Sequence, residues 1–406
     1  MSAHLRILSI FCFVLMSVWG RAQESEPPAI VAEGDQFYCP GTEINVVTDF
    51  EISGQQNFEL DAFYIQISTG YERGADLLIL NSAAPDILGG WDPETGKLTL
   101  EKRDGLLNFQ EINEAVKNVI YKGNNPEFIG EKLFSFTMHS SNFLPSTGHF
   151  YQYRSYPNIS WTIAKGLAEQ LEYNGLQGYL ATITTREEAV LVGEQAEGTG
   201  WIGASDAEEE GTWKWVTGPE AGTDAEIFWI GDANGYAPNG AYENWNTGEP
   251  NDLNGEDYGH VIANTQIGPK GSWNDLPNEG TEGLYAPQGY IVEYGFGGPE
   301  DAPDFSASTR VYTNGIEEVV NGSSCGPGSV TLSATASILE NQEIASEVLW
   351  FASATATVPI SRGNNYTTAG LNTTTTYYVL ASQDGCTEGI RSPVVAEIYE
   401  IPDIVN

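Results

Sequence analysis

The 45 glycines and 20 prolines of this chain fall at short intervals along its 406 residues. Glycine supplies the positive-φ corners of tight turns, and proline fixes turn geometry while removing a backbone donor, so chains punctuated this often fold as short strands joined by turns. The residues between the turns are rich in Tyr, Trp, Phe, Thr and Val, side chains that fit a pleated sheet. The chain therefore reads as a mostly β protein. Its length exceeds what one hydrophobic core usually serves, which predicts two to four domains.

The N-terminus reads as an export signal. His4 and Arg6 precede the apolar run Ile7–Trp19, and Gly20 and Ala22 bracket Arg21, which predicts a signal peptide over 1–22 cleaved after Ala22. No other stretch approaches the roughly 20 apolar residues of a membrane helix, so no membrane span is expected and the product is secreted or held at the cell surface. Cysteine usage fits export. Cys12 leaves with the signal, and Cys325 with Cys386 form the plausible disulfide, leaving Cys39 over.

Charge narrows the partners. With 56 acidic against 17 basic residues the formal net charge is −39, which argues against nucleic acid and anionic membranes as ligands and favours divalent cations. The sequence also offers no nucleophile elbow, phosphate loop or zinc-type His spacing, so it is not read as an enzyme.

Three domains are expected. Residues 31–139 hold alternating apolar runs such as Phe63–Ile67, Lys97–Leu100 and Leu133–Met138. Their combination of Asp76-Leu77-Leu78, Trp91-Asp92, Gly96–Leu100 and Val119-Ile120-Tyr121 resembles cadherin-like sandwich modules of large bacterial surface proteins. Residues 305–400 carry strands Ser329–Ala334 and Val348–Phe351, then Leu371, Thr375, Tyr377 and Val379 at a spacing similar to immunoglobulin-like or fibronectin-like domains. Between them, residues 147–296 predict an α+β domain. Ser160 reads as N-cap of a helix over Trp161–Tyr173, Gly178–Ile183 as a strand, and Thr184 with Glu187 as a capping box opening a second helix that runs to about Gln195.

The middle segment then runs through Trp201-Ile202-Gly203, Trp213-Lys214-Trp215, Trp245-Asn246, Glu249-Pro250-Asn251, Glu256-Asp257, Trp273-Asn274-Asp275 and Gly289-Tyr290-Ile291-Val292-Glu293. In that order these motifs resemble the C-type lectin domain, across about 150 residues. The resemblance implies calcium as cofactor and glycans as partners. It places the primary calcium and carbohydrate site at Glu249, Asn251, Glu256, Asn274 and Asp275, with a cis bond before Pro250, and an auxiliary calcium at Asp206, Glu210, Asp252 and Asp257. Glu-Pro-Asn order implies mannose- or glucose-type sugars, and weak single-site binding implies clustering for avidity.

Two departures from the family stand out. Its usual cysteines are replaced by Tyr258, Asn278 and Val292, which leaves apolar packing and calcium to hold the loops, and Ala221–Tyr242 and Leu276–Gln288 are longer than usual. Trp201 and Trp215 are expected in the core, His260 along a strand, and Trp229, Tyr236 and Tyr242 are the aromatics open to a ligand. The alternative reading is an adhesion or structural surface protein whose lectin-like domain binds protein or another surface, with calcium only rigidifying loops.

Overall fold

A computed structural model describes residues 28–401 apart from 55–58, 82–85, 196–197, 224–225, 296 and 338–345; the expected export signal lies outside the described residues. The architecture is mostly β and multidomain, with an α+β unit between two β-sandwich units.

In the first unit, period-two alternation buries Phe63, Ile65 and Ile67 of strand Ala62–Thr69 and Leu98 and Leu100 of strand Lys97–Lys102. These strands belong to a six-stranded sheet ordered Asp35–Phe37, Ser306–Thr313, Gly130–Thr137, Ala62–Thr69, Lys97–Lys102, Ile87–Asp92. A three-stranded sheet, Glu43–Asn45, Val119–Gly123 and Asp76–Leu80, supplies Leu78, Val119 and Tyr121 to the same core. Helix Phe109–Val116 follows its Asn108–Glu111 capping box.

Strand Ser306–Thr313, expected to open the third domain, instead completes the first sheet, where its residues pair with Gly130–Thr137 from Thr137↔Ser306 to Gly130↔Thr313. Val311, fully buried, belongs to the first domain's core, which is why the strand sits there. The middle domain is therefore an excursion between two neighbouring strands. Its own first and last long strands, His149–Ser155 and Gly289–Tyr294, pair antiparallel. Gln195, 2% exposed, donates from Nε2 to Ile67 O at 3.1 Å, and Arg73 donates to Glu194 O at 2.8 Å, tying it to the first domain.

Both middle-domain helices differ from expectation. The first covers only Trp161–Ala168, because Glu172–Tyr173 pairs with Leu176-Gln177 around Asn174-Gly175, both at positive φ, a turn chemistry that favours a hairpin. Ser160 makes no side-chain cap; Asn278 does so, its Oδ1 accepting the Thr162 N–H at 3.0 Å. The second helix starts one residue later, with a Thr185–Glu188 capping box, and passes at Val190 into a π-helical turn ending at Glu194. Glu188 takes the role because it is buried and also accepts the Tyr151 hydroxyl at 2.8 Å, whereas Glu187 faces solvent.

In the third unit, strands Glu347–Phe351, Thr375–Ser382 and Ser392–Tyr399 face Thr331–Ala336 across a core of Leu332, Val348, Trp350, Val379 and Val394. The expected Cys325–Cys386 bridge is overturned. Cys386 bonds to Cys39, across 347 residues of sequence, while Cys325 is free and exposed. Sequence spacing could not see that the chain's return to the first sheet brings Cys386 to Cys39. Alkylation of the native, unreduced protein is expected to label Cys325 and to spare Cys39 and Cys386 until reduction; peptide mapping checks it, and label on either of the latter two refutes the pairing.

Candidate functional site

The loops beyond the middle domain's sheet stand on an aromatic floor. Trp201, Trp213, Trp215 and Trp273 are at most 1% exposed, and Trp215 stacks on Phe228 with centroids 4.4 Å apart, so these indoles are core, as expected of Trp201 and Trp215. Tyr258, Asn278 and Val292, which stand where the resemblance implies cysteines, are held otherwise: Tyr258 lies against Trp161 at 4.7 Å, Asn278 caps the helix, and Val292 is fully buried.

From this floor, Trp273–Leu276 pairs with Tyr258–Val261 and carries Asn274 and Asp275, both nearly inaccessible. Their backbone groups serve the sheet, which leaves the side chains to the loops. Asp275 Oδ2 accepts the backbone N–H groups of Asn251 and Asp252, at 2.9 and 2.8 Å, and so draws the Glu249-Pro250-Asn251 loop over the strand. The Glu249–Pro250 bond is cis. Asn251 Nδ2 donates to Glu249, Asp252 Oδ1 accepts the Glu256 N–H at 3.0 Å, and Glu256 Oε2 accepts the Leu253 N–H at 3.1 Å. Beneath them His260, fully buried, lies with Nδ1 3.2 Å from Asn274 O, and burial lowers its pKa to about 4.

Electrostatics at this cluster is unfavourable to the bare carboxylates. Burial, then the charge of Asp275, pushes both Glu249 and Glu256 up to about 7, and burial raises Asp275 itself. Two buried oxygens, Asn274 Oδ1 and Asp275 Oδ1, have no hydrogen-bond partner. An unpaired buried acceptor costs on the order of 1–3 kcal/mol. Such a set of hard oxygens fits a calcium ion, which takes six to eight oxygen ligands.

The second cluster is tighter. Carboxylate oxygens of Asp206, Glu210 and Asp257 lie within 4.8 Å of one another, the one such group of three or more among the described residues. Asp206 is pushed up to about 7 by burial and by Glu210 and Asp257, against the Gly211 N–H that donates to its Oδ2 at 3.0 Å, while its Oδ1 is buried and unpaired. Asp252, expected as a fourth member, is outside this group. Its carboxylate caps its own loop through Glu256, although it lines the same cleft of about 430 Å³ with Asp206, Glu210, Asp275 and Asn251.

Sequence reasoning missed the part played by Gly231 and Asp232. The Gly231 N–H donates to Gly211 O at 2.8 Å, which brings the long Ala221–Tyr242 segment to the rim of the cleft, where Asp232 lines it. The acidic residue in an oversized loop was the available signal. Of the three aromatics left open to a ligand, Tyr236 is 60% exposed, whereas Trp229 and Tyr242 pack against the core.

Residues 316–399 match the model of the family described as Ig-like domain CHU_C associated. The chain is 33% identical over 247 residues to halomucin from Haloquadratum walsbyi, covering 58% of this chain and 2% of that protein. It is 30% identical over 105 residues to a perlucin-like protein from Mytilus galloprovincialis, 24% of this chain and 53% of that one. It is also 30% identical over 123 residues to C-type lectin domain family 10 member A from Homo sapiens, 30% of this chain and 31% of that one. The chain thus spans about half or less of each relative's length. Among the described residues no helix is long and apolar enough to cross a membrane.

Proposed function

We propose that this is an exported or surface-held protein whose middle domain binds carbohydrate through calcium. The observation that carries the reading is the pair of unpartnered buried oxygens, Asn274 Oδ1 and Asp275 Oδ1, on a strand whose neighbouring loop presents Glu249, Asn251 and Glu256. Those five residues hold the primary ion, and Asp206, Glu210 and Asp257, with Asp252 at the rim of the same cleft, hold an auxiliary one. Similarity to a protein named as a C-type lectin supports the same use. Calcium, when bound, polarises two vicinal hydroxyls of a sugar. The chain's own part is orientation: Glu249 and Glu256 accept from those hydroxyls, and Asn251 and Asn274 donate to them. The protein binds and releases its ligand unchanged. A glycan array probed with calcium, and again with chelator, tests the proposal; equal signals in both arms, or none in either, would sink it.

A second reading has one observation in its favour. The tightest carboxylate group, Asp206 with Glu210 and Asp257, contains none of the five primary-site residues, as suits calcium that only rigidifies loops on an adhesion protein. A calcium-dependent thermal shift without any glycan signal would select this reading.

Specificity follows from which side chain accepts and which donates. With Glu249 accepting and Asn251 donating, the pair suits equatorial 3- and 4-hydroxyls, as in mannose and glucose. The double change Glu249→Gln with Asn251→Asp keeps ligand number and charge but exchanges the roles. Elution from a mannose matrix is expected to move from mannose-sensitive to galactose-sensitive, and unchanged competition by the two monosaccharides would refute the role of this tripeptide.

A further inference from the structure

Lys132 is 1% exposed, a rare location for a long ammonium side chain. Its Nζ lies 2.8 Å from Asp76 Oδ2, and the Asp76 side chain is likewise 1% exposed. Around this pair stand a second carboxylate, Glu72 Oε1 at 3.6 Å from Nζ, and the ring of Phe128, centred 4.3 Å away. The Tyr121 hydroxyl donates to Asp76 Oδ1 at 2.8 Å, the Glu72 N–H donates to Oδ2 at 2.7 Å, and Asn125 holds the Glu72 carboxylate at 2.9 Å. Removing one ion pair from water costs several kcal/mol per ion before its attraction is counted. Burial outweighs Lys132 in setting the Asp76 carboxyl above its usual range, which favours the neutral acid.

We propose that Lys132 and Asp76 join spontaneously in a side-chain amide that covalently links the three- and six-stranded sheets of the first domain. A proton first crosses the 2.8 Å contact from the ammonium to Asp76 Oδ2, leaving a neutral amine beside a neutral acid. The Nζ lone pair attacks Cγ, and the charge that develops on Oδ1 meets the Tyr121 hydroxyl already pointed at it. Glu72 takes the second proton from Nζ and passes it to Oδ2, which leaves as water. The Nζ–Cγ bond forms, the Cγ–Oδ2 bond breaks, one water is released, and no oxidant or cofactor is used. Holding the two groups together in a dry site supplies the effective concentration that makes amide formation feasible. Because Asp76 begins strand Asp76–Leu80 and Lys132 lies in Gly130–Thr137, the bond stitches the three-stranded sheet to the six-stranded one.

The test is the intact mass of the full chain after reduction of its disulfide. The protein is expected to weigh one water less than its sequence, with digestion yielding a branched peptide that joins the Asp76 and Lys132 segments. Lys132→Met is expected to restore the full mass; since it strands Asp76 in the core and can fail to fold, Glu72→Gln, at a partly exposed position, is the second variant and is expected to accumulate unlinked chains. A wild-type mass equal to the sequence overturns the proposal, as does a missing water that persists in Lys132→Met. A fully linked Glu72→Gln protein overturns the proton transfer assigned to Glu72.

Discussion

Asn274→Ala is expected to lower calcium-dependent retention on a mannose matrix by about 100-fold or more, since losing even a group behind the metal ligands costs 10–100-fold. The side chain is 3% exposed and its Oδ1 is unpaired, so truncation removes a buried oxygen from the proposed ligand set. The strand beneath it survives, because Asn274 pairs with His260 through the backbone. The variant should therefore fold, keep the auxiliary calcium and lose the sugar. Isothermal titration with calcium and column retention separate these effects. Normal retention with the primary calcium gone would show that sugar binds elsewhere.

The second large effect is on stability, and metal works against it. Burial and neighbouring carboxylates push Glu249, Glu256 and Asp206 up to about 7 in the folded, metal-free protein, from ordinary values of 4.5, 4.5 and 3.8. A carboxyl raised in this way binds more protons folded than unfolded between those values, so its contribution to stability is full below the ordinary carboxylate range and is lost as pH rises through about 7. Without calcium the middle domain is expected to melt lower at pH 8 than at pH 5. Calcium binds the deprotonated forms and opposes the trend: at 100 times its dissociation constant it adds about 2.7 kcal/mol, a rise in Tm of roughly 5–10 °C for a domain of this size. Scanning calorimetry at both pH values, with calcium and with chelator, reads all four states. A metal-free protein that gains stability between pH 5 and 8, or a calcium shift no larger at pH 8 than at pH 5, contradicts the account.

The mostly β architecture and the α+β middle domain were legible in the sequence because the signals are local. Period-two alternation marked Ala62–Thr69 and Lys97–Lys102, and the tryptophans at 201 and 215 entered the core as the resemblance implied. The proposed site residues came from the family resemblance, whose motifs Trp273-Asn274-Asp275 and Glu249-Pro250-Asn251 stand in consecutive positions. What was not legible depends on distant partners. Ser306–Thr313 has a strand's composition, yet nothing in it says that its neighbour is Gly130–Thr137 rather than the strands that follow. The same return of the chain decided the cysteine pairing. Asp252 was placed on the auxiliary ion by the resemblance; its Oδ1 accepts the Glu256 N–H, and it lies outside the group of three carboxylates, an arrangement that depends on loop geometry. The Asn174-Gly175 turn could have been read, and the helical spacing of Leu167 and Leu171 concealed it.

The Cys39–Cys386 bond also changes how tension runs through the molecule. A pull applied along the chain, from a point before Cys39 to a point after Cys386, passes from one sulfur to the other and leaves the 347-residue span between them slack. Every residue from Asp206 to Asp275 lies in that slack span. Within it the middle domain hangs from the adjacent residues Thr137 and Ser306, so even after reduction the load would meet the paired strands of the first sheet before it reached the loops. In an oxidising medium the domain is a passenger on a taut line, and its grip is set by chemistry at the loops rather than by the strain on the chain that carries it.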